Sequence, residues 1–585
     1  MNTVSVTGKN WILKKFDQEK IVYLKDNFFL DEITAKLLVL RNIKIEDVKS
    51  FLSPSIKNFL PDPNNLLDME KSSLRTLKAI NNKERIGIFG DYDVDGASSI
   101  ALLGKYFEEL KLQYEIYIPD RKTEGYGPSI KGFKKLIENN VKIIFTVDCG
   151  TLSFEAINFA KKKNIDVIVL DHHQSEINLP KAYSIINPNR LDDQSNLKYL
   201  CASGVSFMFL VSINRLLRTS NWFKKNSIIE PDLIKYLDLV SLGTVCDVVP
   251  LTGLNRAIVK QGLKIFKEKK NLGLKTLIDI CKIETNLSIY HLGYIIGPRI
   301  NAGGRVGKCS HGANLLLNSN PKEAFKIATE LNQYNKERQM LEQDLINKIL
   351  KEVKNKLSDP ILVLQGTNWH EGIIGIVAAR LKDKYNKPVI VISLRDGIGK
   401  ASARSIVGFD IGSAIIAATQ KKILLKGGGH KMAGGFSITI SNIEKFKTFL
   451  IKKFKNINDD LAQRKPLYLD SKIAPSAVNI DFYDKINILS PFGSGNPEPK
   501  FVVENLKPIN SKIVGEKHIK SVLIGPEGTC LKTVAFNAID SELGGYLLKK
   551  NSSTFNIAGK LSLNEWRGQK NVEFIIDDIS VNKSN

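Results

Sequence analysis

Two short polar stretches carry the side chains best suited to chemistry. Residues 91–96 read Asp-Tyr-Asp-Val-Asp-Gly, and residues 171–173 read Asp-His-His. Each stretch follows a run of apolar residues that predicts a buried strand. Carboxylate oxygens and imidazole nitrogens are ligands that suit Mg²⁺ or Mn²⁺. We therefore expect a site for two divalent ions and phosphoester chemistry, in which two metals hold the attacking and the leaving oxygens.

The spacing of the first stretch favours a ligand loop. On a short loop, alternate positions turn the carboxylates of Asp91, Asp93 and Asp95 toward one pocket, and Gly96 lets the backbone turn into a helix. The alternative is the start of an EF-hand calcium loop. That loop needs a glutamate at its twelfth position, which is Leu102 when the count starts at Asp91, so the alternative fails.

Further candidate ligands follow other predicted elements. Asp148 ends a strand and is able to bridge two metals. His172 offers an imidazole nitrogen, which Asp171 or His173 can hold in place. Asp247 is weak evidence by itself, because a lone aspartate after a helix is often a cap.

A parallel sheet is the element that must position these residues. Between residues 85 and 187, β-rich runs alternate with helical patterns, which is typical of βαβ units. Ligands of such sheets bind at the carboxyl ends of the strands, where both polar stretches and Asp148 lie. The predicted strands are 86–89, 114–118, 142–147, 165–170 and 183–186, and the predicted helices include 98–110 and 154–163.

Three more units follow along the chain. Apolar residues at helical spacing predict one helix over 320–357, for which we favour an interdomain strut over a coiled-coil hairpin or a core helix. Residues 360–455 predict a second α/β unit, with strands 361–364 and 389–392. After residue 466, five short strands favour a small barrel of the oligonucleotide-binding type over a β-sandwich. These strands are 501–503, 521–524, 532–536, 555–561 and 572–576.

Bulk composition narrows the class of protein. Lys and Arg number 85 against 61 Asp and Glu, a formal charge of +24, which favours a polyanionic partner over simple composition bias. The six cysteines are scattered, so we expect a reducing compartment and neither a disulfide framework nor a structural zinc site. Without a signal-like segment or an apolar run of about 20 residues, we expect a soluble cytoplasmic protein with no membrane contact.

Taken together, these motifs resemble the four-motif signature of the DHH phosphoesterases. The signature consists of Asp-x-Asp at 93–95, Asp148, the Asp-His-His stretch and Asp247. Within that superfamily the chain is similar to the RecJ branch of single-strand-specific exonucleases, and the similarity covers nearly the whole chain. It is carried by residues 91–96, 125–127, 241–251, 297–302, 369–376, 428–430 and 433–435.

The resemblance implies an α/β fold with a C-terminal β-barrel. It implies a DHH-type parallel sheet domain, joined by a long helix to a second α/β domain of the DHHA1 type, followed by an OB-type barrel. The expected divisions are a mostly helical N-terminal segment at 1–80, the DHH catalytic domain at 81–318, the connecting helix at 319–359, the DHHA1 domain at 360–458 and the OB domain at 459–585.

The resemblance also implies roles for individual residues. Asp93 and Asp148 would hold one metal, and Asp95, Asp148, Asp247 and His172 the other, with Asp91 and His173 as close catalytic supports. The residues expected to contact substrate phosphate are Arg121, Arg299, Asn301, Ser402, Arg404, Gly428, Gly429 and His430. One departure is Phe89, where many relatives have His, and it predicts a loosely held first metal that depends on added Mn²⁺.

The implied activity is 5′→3′ hydrolysis of single-stranded DNA with release of 5′-mononucleotides, in DNA repair and recombination. Mn²⁺ or Mg²⁺ would be the cofactor and single-stranded DNA the partner of a monomer that works with a DNA helicase and a single-strand-binding protein. Two alternatives remain open. One is a DHH-family phosphodiesterase for short oligonucleotides or cyclic dinucleotides, and the other is a non-catalytic DNA-binding scaffold.

Overall fold

The computed structural model describes residues 3–121, 123–455, 465–549, 554–566 and 569–582. The N-terminal segment begins with two short strands and continues as helices. Its elements are β1 (Thr3–Ser5), β2 (Asn10–Leu13), α1 (Gln18–Phe28), α2 (Glu32–Leu40), α3 (Val48–Leu52), α4 (Ile56–Phe59) and α5 (Met69–Asn81). The prediction of a mostly helical segment is therefore confirmed for the described residues, although the two strands were not predicted.

A five-stranded parallel sheet follows, in the order β4-β3-β5-β6-β7. The chain order reverses between β3 and β5, and this reversal creates a crevice at their carboxyl ends. Every predicted strand boundary in this sheet is confirmed to within one residue. The elements are β3 (Ile86–Gly90), α6 (Val94–Glu109), β4 (Tyr114–Tyr117), α7 (Ile130–Glu138), β5 (Ile143–Val147), α8 (Phe154–Lys162), β6 (Asp166–Leu170) and β7 (Ser184–Ile186).

Helices cover both faces of this sheet: α7 and α8 pack on one face, and on the other α6 lies between the sheet and the helices that follow. Its apolar side packs on α9, α11 and α15 in one continuous core. This layer comprises α9 (Ala202–Thr219), α10 (Trp222–Asn226), α11 (Leu237–Cys246), α12 (Gly253–Glu268), α13 (Leu272–Ile280), a π-helical turn (His291–Ile296), α14 (Gly297–Val306) and α15 (His311–Leu317). Short 3-10 turns occur at Ile45–Asp47, Pro63–Asn65, Leu233–Tyr236, Lys354–Lys356, Ile440–Asn442 and Pro475–Ala477.

The long helix α16 (Pro321–Val353) has 33 residues, or about 50 Å. The Asn320 side chain caps its first turn, where Pro321 fits because the first helical N–H needs no partner. Its N-terminal half is buried in the first core through Ile327 and neighbours, and its C-terminal half is buried in the next unit through Ile349. The helix is thus a strut that is packed at both ends.

The second α/β unit has a five-stranded mixed sheet in the order β11-β12-β10-β9-β8, in which only β8 and β9 run parallel. Its elements are β8 (Leu362–Thr367), α17 (Glu371–Tyr385), β9 (Val389–Arg395), β10 (Ile398–Arg404), α18 (Ile411–Gln420), β11 (Lys426–His430), β12 (Ala433–Thr439) and α19 (Ile443–Lys455). The sequence predicted β8 and β9 but not the glycine-rich strands β11 and β12, because glycine has a low strand propensity.

The C-terminal unit is a closed barrel. Pairing runs from β15 to β16, β17, β19 and β18 and then back to β15, so the five strands leave no open edge, and the β-sandwich alternative is wrong. The elements are β13 (Pro466–Leu469), β14 (Ser471–Lys472), α20 (Ile480–Asn487), β15 (Phe501–Val514), β16 (His518–Ile524), β17 (Cys530–Ala535), α21 (Glu542–Leu548), β18 (Phe555–Trp566) and β19 (Gln569–Asn582).

The N-terminal segment folds onto this barrel. Strand β1 pairs with β19, and β2 pairs with β13, across more than 450 residues of sequence. Helices α1 to α3 bury Ile21, Leu37 and Val48 in the same core as Phe501 and Phe555 of the barrel. The first and last parts of the chain therefore stabilise each other.

A buried arginine joins the barrel to the first α/β unit. Arg256 on α12 is 1% exposed and donates to the backbone carbonyls of Phe51, Leu489, Ser490 and Pro491. Its guanidinium also lies over the Phe51 ring, 3.9 Å from the centroid. Burial lowers the pKa of Arg256 to about 10, so the group is still charged at neutral pH. Among the described residues, no helix is long and apolar enough to cross a membrane.

Candidate metal centre

The first polar stretch forms the turn between β3 and α6. Asp93 caps the helix, because its Oδ1 accepts hydrogen bonds from the N–H groups of Asp95 (2.9 Å) and Gly96 (3.0 Å). Helix α6 therefore begins at Val94, four residues before the predicted start. Gly96 is required at this turn, since a Cβ there would lie 2.5 Å from the carbonyl oxygen of Asp91.

Asp148 lies at the end of β5 in a strained conformation. Its φ of 58° is in the left-handed region, which is uncommon for a residue other than glycine and is often found at functional sites. The Tyr126 hydroxyl donates to the Asp148 carbonyl at 2.9 Å and lies 3.2 Å from Nε2 of His173. The Asp148 side chain is buried and faces the other carboxylates.

His172 lies at the centre of the acidic cluster. Its Nε2 is 3.3 Å from Asp148 Oδ1, 3.6 Å from Asp247 Oδ2 and 3.9 Å from Asp95 Oδ2. Potential ligand atoms fall into three overlapping groups, each within 4.8 Å, and Asp148 and His172 each belong to two of them. The groups are Asp91 with Asp93 and Asp148, Asp95 with His172 and Asp247, and Asp148 with His172 and His173. All seven predicted ligands and supports thus meet at one sheet edge.

Asp171 organises the loop behind the histidines. Its carboxylate accepts from the N–H and hydroxyl of Thr151, from the N–H groups of His172 and His173, and from Nδ1 of His173 at 2.8 Å. Burial opposes ionisation, but the hydrogen bond from His173 outweighs it and lowers the pKa of Asp171. For His173, burial is likewise outweighed by Asp171, which raises the pKa of His173 to about 9. Asp171 therefore fixes both imidazole rings.

Asp95 is held by the helix layer. Its two carboxylate oxygens accept from the N–H groups of Ala202 (2.6 Å) and Ser203 (3.0 Å), at the positive end of α9. Gly243 on α11 makes room for it, because a Cβ there would lie 2.4 Å from Asp95 Oδ1. The carboxylate is thus fixed beside Asp247, the residue that follows α11.

Electrostatics indicate that this cluster needs cations. Burial, together with neighbouring carboxylates, raises the pKa values of Asp91 and Asp148 well above the ordinary range and that of Asp247 to about 8. Burial also lowers the pKa of His172. Asp91 Oδ1 is buried and has no hydrogen-bond partner among the described residues. A donor set of oxygens with one imidazole fits divalent ions such as Mg²⁺ or Mn²⁺.

Phe89 takes no part in the cluster. It is fully buried on the other face of the sheet, stacked on Tyr117 at 5.3 Å and edge-on to Phe133 at 5.6 Å. Gly132 is the residue that admits its ring, since a Cβ there would lie 2.6 Å from Phe89. The side chain at this position is therefore part of an aromatic core.

Two arginines of the first α/β unit were predicted to contact substrate phosphate. Arg121 lies over the Tyr92 ring at 5.4 Å. Arg299 on α14 donates to Asn332 Oδ1 (2.9 Å) and to the Ile295 carbonyl (2.7 Å), and Asn301 is half-buried on the same helix. These contacts hold the predicted phosphate contacts of the first unit in place.

Arg305, also on α14, was not predicted. Burial lowers the pKa of Arg305 to about 10, and the nearby Arg121, Arg338 and Arg404 lower it further, against the opposing effect of Asp93. Its guanidinium donates to the Gly372 carbonyl at the start of α17 and so connects the two α/β units. Such a convergence of arginines suits an anionic ligand. The only signal in the sequence was its place in Gly303-Gly304-Arg305, just beyond the motif that carried the resemblance.

Four of the five remaining predicted contacts share one face of the second sheet. Ser402 and Gly428 both pair with Gly435, and Arg404 and His430 both pair with Ala433, so these side chains point to the same side. Arg404 donates to Ser402 Oγ at 3.0 Å, and a Cβ at Gly428 would meet no described atom within 4 Å. Gly429 points to the other side. Only the small residues Ala433 and Gly435 of β12 lie between these positions, so no bulky side chain separates Arg404 from His430 on this face.

Comparisons with known proteins agree with this geometry. Three family models match the chain: the DHH family N-terminal domain at 85–244, the DHHA1 domain at 340–456 and the RecJ OB domain at 469–578. The single-stranded-DNA-specific exonuclease RecJ of Bacillus subtilis is 30% identical over 580 residues, which are 98% of this chain and 71% of that protein. RecJ of Escherichia coli is 33% identical over 541 residues, 90% of this chain and 92% of that protein.

Solved structures give the same result. RecJ from Thermus thermophilus in complex with Mn²⁺ superposes with a TM-score of 0.80 at 25% identity, covering 98% of this chain and 79% of that one. An exonuclease RecJ bound to manganese superposes with a TM-score of 0.57 at 28% identity, covering 68% of this chain and 96% of that one.

Proposed function

The chain belongs to the RecJ family of single-stranded-DNA-specific exonucleases, and from this premise we propose how its residues perform that activity. The protein is a metal-dependent exonuclease that acts on single-stranded DNA, and its cofactors are two divalent ions, Mn²⁺ or Mg²⁺. The observation that carries this function is the buried cluster of carboxylates and histidines at the crevice between β3 and β5. That cluster has the hard ligands that two such ions require.

The proposed ligand sets share Asp148. Asp93 and Asp148 would hold one ion, Asp95, Asp148, Asp247 and His172 would hold the other, and Asp91 and His173 would support them. The free oxygen of Asp91 supports a direct part for this residue as well. When bound, two divalent ions supply an acidified water as nucleophile and offset charge on the reacting phosphoryl group.

The protein's own residues do the rest by position and charge. Arg121, Arg299 and Arg305 bind the non-bridging oxygens of the scissile phosphate and stabilise the charge that grows on them. Arg305 is held for this task by the Gly372 carbonyl. No protein nucleophile is needed, because the attacking group is water.

Polarity follows from the polar residues on one face of the second sheet. Arg404 and Ser402, already joined at 3.0 Å, bind a terminal 5′-phosphate, which a guanidinium can hold by two parallel hydrogen bonds. His430, Asn301, Gly428 and Gly429 complete the contacts to the strand. Docking the 5′ end there makes the enzyme cut from that end and release 5′-mononucleotides.

The barrel binds the strand that has yet to be cut. Phe536 and His518 lie edge-to-face at 5.2 Å, and the barrel also carries exposed lysines such as Lys532, a combination of rings and cations that suits unpaired nucleotides. The domain division stays as predicted, at 1–80, 81–318, 319–359, 360–458 and 459–585. The boundary between 458 and 459 lies outside the described residues.

The cellular setting is proposed from the family. The protein acts in the cytoplasm as a monomer, in DNA repair and recombination. A DNA helicase and a single-strand-binding protein are its partners, because the exonuclease needs a strand that has been unpaired and kept open.

The test is a digestion panel with purified protein. The substrates are single-stranded, blunt duplex and RNA oligonucleotides with a radioactive 5′-phosphate or a 3′ fluorophore, with Mn²⁺, Mg²⁺ or chelator. We expect labelled mononucleotide from the 5′-labelled single strand with either metal, and none with chelator or from the duplex. Release from the 3′ end first, or equal attack on the duplex, would contradict the proposal. Preference for dinucleotides over long strands would favour the phosphodiesterase alternative.

A further inference from the structure

Two exposed tyrosines, on a segment that packs against the end of α11, have no role in the mechanism above. Tyr290 and Tyr294 are 61% and 73% exposed, and their rings stack with centroids 5.4 Å apart at an angle of 25°. His291 lies edge-on to Tyr290 at 5.8 Å, and its Nδ1 accepts from the Ser288 N–H at 3.1 Å. The two rings, which we call the tyrosine ledge, are therefore oriented while they face solvent.

The ledge is built on the π-helical turn His291–Ile296, and such turns often occur at functional sites. This turn packs against the end of α11. The Cys246 thiol lies 3.5 Å from the Leu292 carbonyl, and a Cβ at Gly297 would lie 2.5 Å from Cys246 Sγ. Because Cys246 directly precedes Asp247, the ledge rests on the same helix end as a proposed metal ligand.

The same turn also positions a cation. Arg299 donates to the carbonyl of Ile295, the residue that follows Tyr294, at 2.7 Å. The two tyrosines and the guanidinium therefore lie on consecutive helical segments that one hydrogen bond connects. Proteins that bind single strands combine these two groups, because bases stack on the rings while cations contact the backbone phosphates.

We propose that the tyrosine ledge stacks one or two unpaired bases of the strand whose phosphate Arg299 binds. The proposal rests on the proposed function, since it names the part of the same substrate that this surface recognises. It adds a source of strand selectivity, because bases in a duplex are already stacked on each other and cannot lie on the rings. A protein partner on these rings is the competing occupant.

The first experiment measures binding of a single-stranded oligonucleotide by fluorescence anisotropy in chelator, where no cleavage occurs. Replacing either ledge tyrosine with alanine should weaken binding about 5- to 150-fold, the range for loss of one base–aromatic stack. Tyr290→Phe and Tyr294→Phe should bind as the parent does. The matched control is Tyr23→Ala, which removes a 45% exposed tyrosine from α1 and should change nothing.

Salt dependence separates stacking from phosphate contact. The alanine variants of the ledge should keep the parent's slope of log affinity against log salt, whereas Arg299→Ala should make it shallower by about 0.7. An abasic nucleotide walked along the strand should weaken parent binding at one or two positions. At those positions alone, Tyr290→Ala or Tyr294→Ala should add no further loss.

Two outcomes would overturn the ledge. In the first, the Tyr290→Ala, Tyr294→Ala double variant binds the single strand within twofold of the parent. In the second, the loss of affinity in the alanine variants adds to the loss caused by the abasic nucleotide at every position. Digestion of single strands by the parent distinguishes failure of the tyrosine ledge from failure of the proposed function. If the parent digests single strands and the double variant does so equally well, only the ledge fails. A parent that does not digest them refutes the proposed function instead.

Discussion

Replacing Asp171 with asparagine tests whether the histidine loop controls the metal centre. The carboxylate accepts five hydrogen bonds, two from Thr151, one from His172 and two from His173. Asparagine keeps one accepting oxygen and puts an NH₂ group where the other stood, so at least two donors lose their acceptor. The Thr151 hydroxyl can turn and accept, which leaves one buried N–H unpaired.

Hydrogen bonds to a charged group contribute about 1.5–3 kcal/mol each. We therefore expect Asp171→Asn to lower the free energy of unfolding by about 2–4 kcal/mol and to weaken Mn²⁺ binding about 10- to 100-fold, as partners of metal-bound histidines generally do. Isothermal titration of the folded protein with Mn²⁺ measures the second effect, and urea unfolding measures the first. For the Mn²⁺ titration, Asp238→Asn is the matched control, since Asp238 is a buried carboxylate on α11 outside the metal cluster. Parent-like Mn²⁺ affinity in Asp171→Asn would show that Asp171 does not position the metal-binding histidine.

Three other variants have separate readouts. Burial raises the pKa of Asp238 to about 6, above its value in the unfolded chain, so its contribution to stability is lost as pH rises from about 4 to 6. Asp238→Asn should therefore be more stable than the parent at pH 8, by up to about 3 kcal/mol, and equal to it near pH 4; urea unfolding at both values checks this. Arg256→Met removes four hydrogen bonds to backbone carbonyls; Leu489 and Pro491 still accept from Asn496, but the carbonyls of Phe51 and Ser490 lose the guanidinium donor. The variant should therefore lower stability by about 3–5 kcal/mol and speed proteolysis between the barrel and the first unit, and unchanged cleavage would count against it. Arg305→Ala should lower kcat by about 10²–10³-fold while Mn²⁺ affinity is kept, and an equal loss of both would show a structural role instead.

The fold of the catalytic half was predictable because local pattern determines it. Apolar runs of four to six residues between helical stretches located β3 to β7 to within one residue, and the polar residues that follow them located the centre. Family resemblance, rather than pattern, supplied the separate roles of Asp93 and Asp95. The sheet register then brought Ser402 and Gly428 to one face, which no spacing in the sequence could indicate.

Sequence pattern did not predict the elements and residues whose structural partners are distant along the chain. Strand β1 is three residues long and pairs with β19 at the other end of the chain, so its strand character depends on a neighbour and not on its own pattern. The same holds for Arg305, because its role in binding an anion depends on three other arginines on separate elements. This has a practical consequence for experiments, because removal of residues 466–585 would also strip the partners of α1 to α3. Point substitutions are therefore the safer probe of the barrel.

The central claim is that two divalent ions share Asp148 at the crevice between β3 and β5. Anomalous diffraction from crystals soaked in Mn²⁺, collected at the manganese absorption edge, tests it most directly. We expect two peaks about 3.5–4 Å apart, with the Asp148 carboxylate between them and His172 Nε2 bonded to one. In Asp148→Asn crystals at the same Mn²⁺ concentration, at least one peak should be lost. Peaks elsewhere, or two full peaks that do not contact Asp148, would contradict the account.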